Sequence, residues 1–482
     1  MQALKSNKWL LFSSLLYMVI AGYLIYNDLS YLVLFPIGLV AIYLAIFKGK
    51  IIYLALAFMT PLSINIEEYT ERFGLYLPTE PLLFGFLLLV VMQEIRKSSL
   101  PKEFWRNPIV WAISFYLFWM FMTSITSSLP VASFKFLLAH CWLIIPMVVI
   151  GFSVFASKKA MITFFWLFTI GMCITIVYTV SIHATYRFGE HESHWVMWPF
   201  FKDHTIYGAA IGLLVPIVFG LYFYKSHTPI VQAILIGLIT IVIVGLYFPY
   251  TRAAWLSVIA AMGVWLLIRL KIKFTWLLGI GITVLVGVAS SWTAIQHALE
   301  RNKYEHTTED FGKRIQSAAN VSTDASNLER LNRWQCAVDM FLERPVVGFG
   351  PGTYAFNYAS FQRPDNLTII STTNADGGNA HSEYLGILAE SGIFGLFSML
   401  FLVGAIFYQS ITLYVKWPAE DKKTRTIIMT IILSLVTYFV HAFLNNYLDS
   451  DKASVPIYGM CAMILALEYK YRKGQLQDET DW

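Results

Sequence analysis

Apolar runs of about 17 to 25 residues recur along this chain from residue 9 to residue 469, and each can carry a helix across roughly 30 Å of hydrocarbon. Within a bilayer every backbone N–H and C=O must find its partner inside the protein, so runs of this length become helices. Composition closes off the soluble alternative. Of 482 residues 57% are hydrophobic and only 13% charged, more apolar surface than a soluble core can hide. The fold class is an all-α polytopic membrane protein.

Candidate spans fall near residues 9 to 26, 30 to 47, 51 to 66, 81 to 95, 109 to 127, 134 to 156, 161 to 183, 204 to 224, 229 to 248, 253 to 269, 274 to 291, 392 to 415, 427 to 446 and 454 to 469. Two of the early ones are short, so the expected number of transmembrane helices is about 12 to 14. Lysine and arginine set the orientation. Of 35 basic residues, 21 lie at the two ends and in alternate loops, and 14 on the opposite side. Eight of those 14 sit in one long loop, which the positive-inside rule does not count, so the short segments divide 21 against 6. Both termini are expected in the cytoplasm and the long loop outside. The lysines before the first run resemble a signal peptide, but no small-x-small cleavage pattern follows, and the run reads as a retained helix. Three regions result: an N-terminal transmembrane bundle over 1–291, an outer loop with amphipathic helices over 292–391, and C-terminal transmembrane helices with a short cytoplasmic tail over 392–482.

Several function classes drop out. Apart from Lys135, Arg252 and a few histidines near span ends, the spans carry few midplane ionisable residues, and the two halves show no matching Gly/Pro-broken spans; both absences speak against a pump, carrier or exporter. The net charge of +5 is mostly the cytoplasmic-side excess and gives no reason to expect nucleic acid. Cys141, Cys173, Cys336 and Cys461 have no metal-ligand spacing. The segment H-E-S-H, His191 to His194, lacks the H-E-x-x-H spacing that sets two imidazoles on one helical face. No metal or cofactor is expected.

The chemistry is expected at the outer face. Lys202, Asp203 and His204 stand at the mouth of a span. Arg252, in T-R-A-A-W, stands at the outer end of another, where a guanidinium either snorkels to the interface or meets an anion. In the long loop, residues 328 to 345 read as an amphipathic helix stopped by Pro345. Leu331, Trp334, Cys336, Ala337, Val338, Phe341 and Leu342 form its apolar side, and Arg330, Arg333, Asp339 and Glu343 its polar side. Gly348, Gly350 and Gly352 follow at alternate positions, which is no dinucleotide motif; they make a tight turn that brings backbone close to a neighbour. His381 then opens a helix that runs into a span, with Glu383 in its first turn, where an acid suits the positive helix end whatever else it does. Asn445, Asn446 and Asp449 cluster at the outer end of the span at 427 to 446.

The order T-R-A-A-W, then R-L-N-R-W-x-x-A-x-x-M-F-x-x-x-P-x-x-G-x-G-P-G-x-Y, then H-S-E-Y-L-x-x-L-A-E-S-G-I-x-G-L is similar to the O-antigen ligase family, over roughly residues 200 to 445. Some O-antigen polymerases and protein O-oligosaccharyltransferases share that superfamily. The resemblance implies an architecture like the C-type glycosyltransferases and transfer of a glycan from undecaprenyl diphosphate to an acceptor on the periplasmic face of the inner membrane; in ligases the acceptor is a sugar on lipid A-core. It also implies two arginines and a histidine, which fall on Arg252, Arg330 and His381. Arg333 is a substitute for Arg330, and Glu383, Lys202 and His204 are candidates for supporting roles.

The chemistry agrees. Breaking the glycosidic bond to a lipid diphosphate needs the leaving charge neutralised, which a permanently charged, forked guanidinium does well. The acceptor hydroxyl needs a base, which histidine can be. Attack by one base with no enzyme nucleophile inverts the anomeric centre. Polymerase and protein O-oligosaccharyltransferase stay open as alternatives, with polysaccharide exporter and non-catalytic scaffold behind them.

Overall fold

The structure, a computed structural model, describes residues 14–23, 26, 43, 47–67, 74–96, 100–272, 325–363 and 378–474. The expected spans at 30 to 47 and 274 to 291, and the first part of the long loop, lie almost wholly outside these residues. The chain divides into two compact units between Tyr53 and Leu54. The first holds α1, Ser14–Tyr23.

The helices continue as α2 (Gly49–Leu62), α3 (Thr79–Arg96), α4 (Pro108–Ile125), α5 (Pro130–Val154), α6 (Lys158–Thr185), α7 (His204–Phe223), α8 (Pro229–Tyr247), α9 (Arg252–Arg269), α10 (Ala325–Glu343), α11 (Glu383–Lys416), α12 (Lys422–His441) and α13 (Asp451–Lys473). A two-stranded antiparallel ribbon pairs Ile64 with Leu77 and Asn65 with Tyr76. Among the described residues eight helices, α4 to α9 with α11 and α12, are long and apolar enough to cross a membrane; α3 has the length but carries Glu80, Glu94 and Arg96, and α13 has the length but is less apolar. The expected boundaries agree to within about five residues, α12 being displaced by that much at both ends, apart from α11, which begins at Glu383 rather than 392.

The bundle is organised on α7, which packs against α12, α8, α9 and α6. Its apolar window is 78% buried, against 17% for α8, whose sides are left to lipid. Small residues allow the closeness. A Cβ on Gly208 would stand 2.8 Å from that of Thr251, and one on Gly220 only 2.0 Å from Thr430 Oγ1. Close helix approach through such positions is how membrane helices gain packing where lipid removes the hydrophobic drive.

α11 is broken at Gly392, whose φ is +66°. A break strands helix carbonyls, and these find donors. Phe349 N and Gly350 N donate to the carbonyls of Ala389 and Glu390 at 3.2 and 2.7 Å, and Trp119 Nε1 donates to that of Ser391 at 2.8 Å. In return Ile393 N donates to the Pro345 carbonyl at 2.9 Å. The glycine turn can come this close because a Cβ on Gly348 would stand 2.3 Å from the Glu390 carbonyl carbon. Its neighbour is therefore the broken helix.

Candidate active site

α10 holds the site loop. Its buried stripe is Glu329, Asn332, Arg333, Cys336, Ala337 and Met340, a helical i, i+3, i+4 series. This corrects the expected apolar side. Leu342 is exposed and Arg333 is buried, because the guanidinium is satisfied inside: Nε donates to Glu329 Oε1 at 2.8 Å and Nη1 to the Asn379 carbonyl at 3.1 Å. Cys336, Ala337 and Met340 meet Phe349, Tyr354, Tyr358, Ala380 and Ala389 in one small core. The amphipathic helix is thus packed onto the glycine turn and the start of α11.

His381 does not lie within α11; it precedes the N-cap, Ser382, whose hydroxyl accepts from Leu385 N at 3.4 Å. Its φ of +46° is a left-handed conformation that residues other than glycine seldom adopt. Three contacts fix it there. Its amide donates to Asn379 Oδ1 at 3.0 Å, its carbonyl accepts from Trp334 Nε1 at 3.3 Å, and Arg333 grips the Asn379 carbonyl.

Around the imidazole the structure gathers groups from distant segments. Arg330 and Asp203 together bear on His381, His204, His441 and Tyr447. Burial, then the cations Arg330 and Arg333, push the His381 imidazole down to about 4, with Asp203 and Asn445 opposing. The ring is therefore neutral at pH 7 and retains a lone pair. Asp203 caps α7, accepting from Thr205 N at 2.7 Å and Ile206 N at 3.1 Å. His204 stacks on His194, centroids 4.2 Å apart, and its carbonyl accepts from Thr251 Oγ1 at 2.9 Å.

Arg252 is the first residue of α9, directly after Thr251, and so stands at this same end of the bundle. The Thr251 hydroxyl, being used on His204, does not cap α9. An uncapped helix start beside a guanidinium suits an anion. Lys202 turns elsewhere: it pairs with Glu67 at 3.2 Å on the surface. Among the described residues no group of three or more His, Cys, Asp or Glu side chains is disposed to hold a metal.

Beyond Asn379 and Ala380 lies a cavity of about 290 Å³. Trp119, Tyr354, Glu383, Glu390, Asn446 and Asp449 are among the residues that line it. Glu383 accepts from Tyr447 N at 3.1 Å, and Glu390 accepts from Gly352 N and Tyr354 N at 2.9 and 2.8 Å. Asp449, outside the spans, has its carboxyl pushed up to about 6 by burial, opposed by Lys202. Nothing in the sequence marks Glu390, Thr205, Tyr447 or His441 for this site. Tyr447 sits between Asn446 and Asp449, and only the fold turns it toward Thr205.

Fold and site together define a multi-pass helical membrane protein with a charged site at one end of the bundle. Residues 236–400 match the family model of the O-antigen ligases. That stretch holds Arg252, Arg330, Arg333, His381 and Glu383, and the match implies a glycosyltransferase-like enzyme of the ligase or polymerase type. No curated protein matches the chain.

Proposed function

We propose that this protein is a metal-independent, inverting glycosyltransferase that moves a glycan from undecaprenyl diphosphate to a sugar hydroxyl of lipid A-core, at the periplasmic face of the inner membrane. One observation carries the reading: Arg330 bears on His381, whose chain neighbours Asn379, Ala380 and Glu383 line a cavity together with Glu390 and Asp449. The anionic donor belongs with Arg330. A neutral, hydroxyl-rich acceptor suits the cavity, where carboxyl oxygens accept its hydrogen bonds and rings take its apolar faces.

In the reaction the acceptor oxygen attacks the anomeric carbon as His381 removes its proton. The anomeric C–O bond breaks and its electron pair leaves with the diphosphate, whose charge Arg330 and Arg252 stabilise. Arg333 holds the loop that carries the base. Both substrates are lipid-anchored and reach the site from the bilayer.

The test is reconstitution of the purified protein with undecaprenyl-diphosphate-linked glycan and lipid A-core, beside the His381→Ala protein and with a chelator present. A His381-dependent shift of the lipid A-core band, undiminished by chelation, is expected. Lengthening of the carrier-linked glycan alone would assign a polymerase, and transfer to protein alone a protein O-oligosaccharyltransferase. Full activity in folded His381→Ala would overturn the mechanism.

A further inference from the structure

A series of polar side chains runs from Asp203 to His381. The Asp203 carboxylate accepts from the Thr205 hydroxyl, and the Thr205 hydroxyl meets that of Tyr447. Tyr447 Oη lies 3.3 Å from Asn445 Oδ1. Asn445 is 1% exposed and is a hydrogen-bonding neighbour of the His381 imidazole. The series joins the start of α7, the loop after α12 and the loop before α11.

Counting protons gives it a direction. A carboxylate only accepts, so Thr205 spends its single hydroxyl proton on Asp203 and accepts from Tyr447. Tyr447 has then used its own proton, and its oxygen can only accept. The Asn445 atom facing it must therefore be the amide nitrogen. With the carbonyl turned to Tyr447 instead, two buried atoms, Asn445 Nδ2 and His381 Nδ1, lack any partner in the protein. Each such orphan is costly and rare in a folded protein. Rotating the carboxamide by half a turn exchanges its oxygen and nitrogen in nearly the same positions. It gives Tyr447 its donor and turns Oδ1 toward the imidazole.

We propose that Asn445 and Tyr447 are positioning residues that fix the tautomer of His381. Asn445 Oδ1 accepts the proton of His381 Nδ1, leaving the lone pair on Nε2. Asp203, through Thr205, sets the sense of every bond in the series. The inference rests on the proposed role of His381 as base for its catalytic meaning, but the tautomer itself can be observed without any turnover.

The experiment is ¹⁵N NMR of the purified full-length chain labelled at histidine, with the His381 signals assigned by their loss in His381→Gln. In the wild type Nδ1 should carry the proton. In Asn445→Leu the signal should move to a mixture or to the Nε2–H form. Should Asn445→Leu fail to fold, Tyr447→Phe answers the same question, because loss of the hydroxyl frees the amide to turn either way. Turnover in Asn445→Leu should drop roughly ten- to a hundredfold, within what general-base catalysis supplies, with the KM for donor unchanged within about twofold. A proton on Nε2 in the wild type, or an unchanged tautomer in folded Asn445→Leu, overturns the proposal. The expected tautomer with no transfer to any acceptor supports it and instead defeats the glycosyltransferase reading.

Discussion

Arg333 holds Asn379: the guanidinium donates to its carbonyl at 3.1 Å while Nε is bonded to Glu329 at 2.8 Å. Two residues later comes His381, so a buried ion pair on α10 sets where the proposed base sits. Removing one partner strands the other charge in the interior, at a cost of about 3–5 kcal/mol. Arg333→Ala should lower the unfolding temperature markedly, and Arg333→Met with Glu329→Leu should recover much of that loss. Equal stability of the single variant and the wild type, in thermal unfolding of the detergent-solubilised protein, would refute the clamp.

Gly392 meets Val346 backbone to backbone. A side chain there would place Cβ 2.2 Å from the Val346 carbonyl oxygen at a φ of +66°. Gly392→Ala should lose about 1–3 kcal/mol from the backbone conformation alone, and more from the displaced turn. The same thermal measurement checks it; an unchanged midpoint would mean that α11 can straighten without harm.

The His381 imidazole, pushed down to about 4, predicts the pH profile. The base is neutral above that value, so kcat/KM should stay level from pH 7 to about pH 5 and fall only below it. Arg330 is a positive neighbour, and its removal favours the imidazolium. In Arg330→Gln the NMR titration of His381 should therefore move to higher pH. A wild-type midpoint near 6.5, that of an ordinary exposed histidine, would contradict the burial seen here.

Arg330 and Lys202 should separate sharply. Arg330→Lys keeps the charge but loses the fork that binds two phosphate oxygens, so kcat/KM for the donor should fall at least about tenfold, or roughly 1.4 kcal/mol. Lys202 is committed to Glu67 on the surface, where an ion pair contributes little. Lys202→Ala should transfer within about twofold of the wild type. A large loss there would place the donor on the Lys202 side.

Much of the architecture is legible in the sequence because a bilayer leaves the backbone so few choices. Length and apolarity suffice to place α4 to α9, and positions such as Arg252 and His381 are marked by standing where a charged or polar group meets the end of a span. The glycines at 348, 350 and 352 announce a close approach, though not to what. Tertiary structure decides the rest. That Arg333 turns inward while Leu342 faces out depends on Glu329 and the Asn379 carbonyl being there to satisfy a guanidinium, and helical periodicity cannot see either. Arg330, three residues away on the same helix, bears electrostatically on His381 and His204. The left-handed backbone at His381, the break at Gly392 and the order Asp203, Thr205, Tyr447, Asn445 are likewise products of packing between segments up to 242 residues apart. A sequence determines which groups can bond; only the fold determines which of them meet.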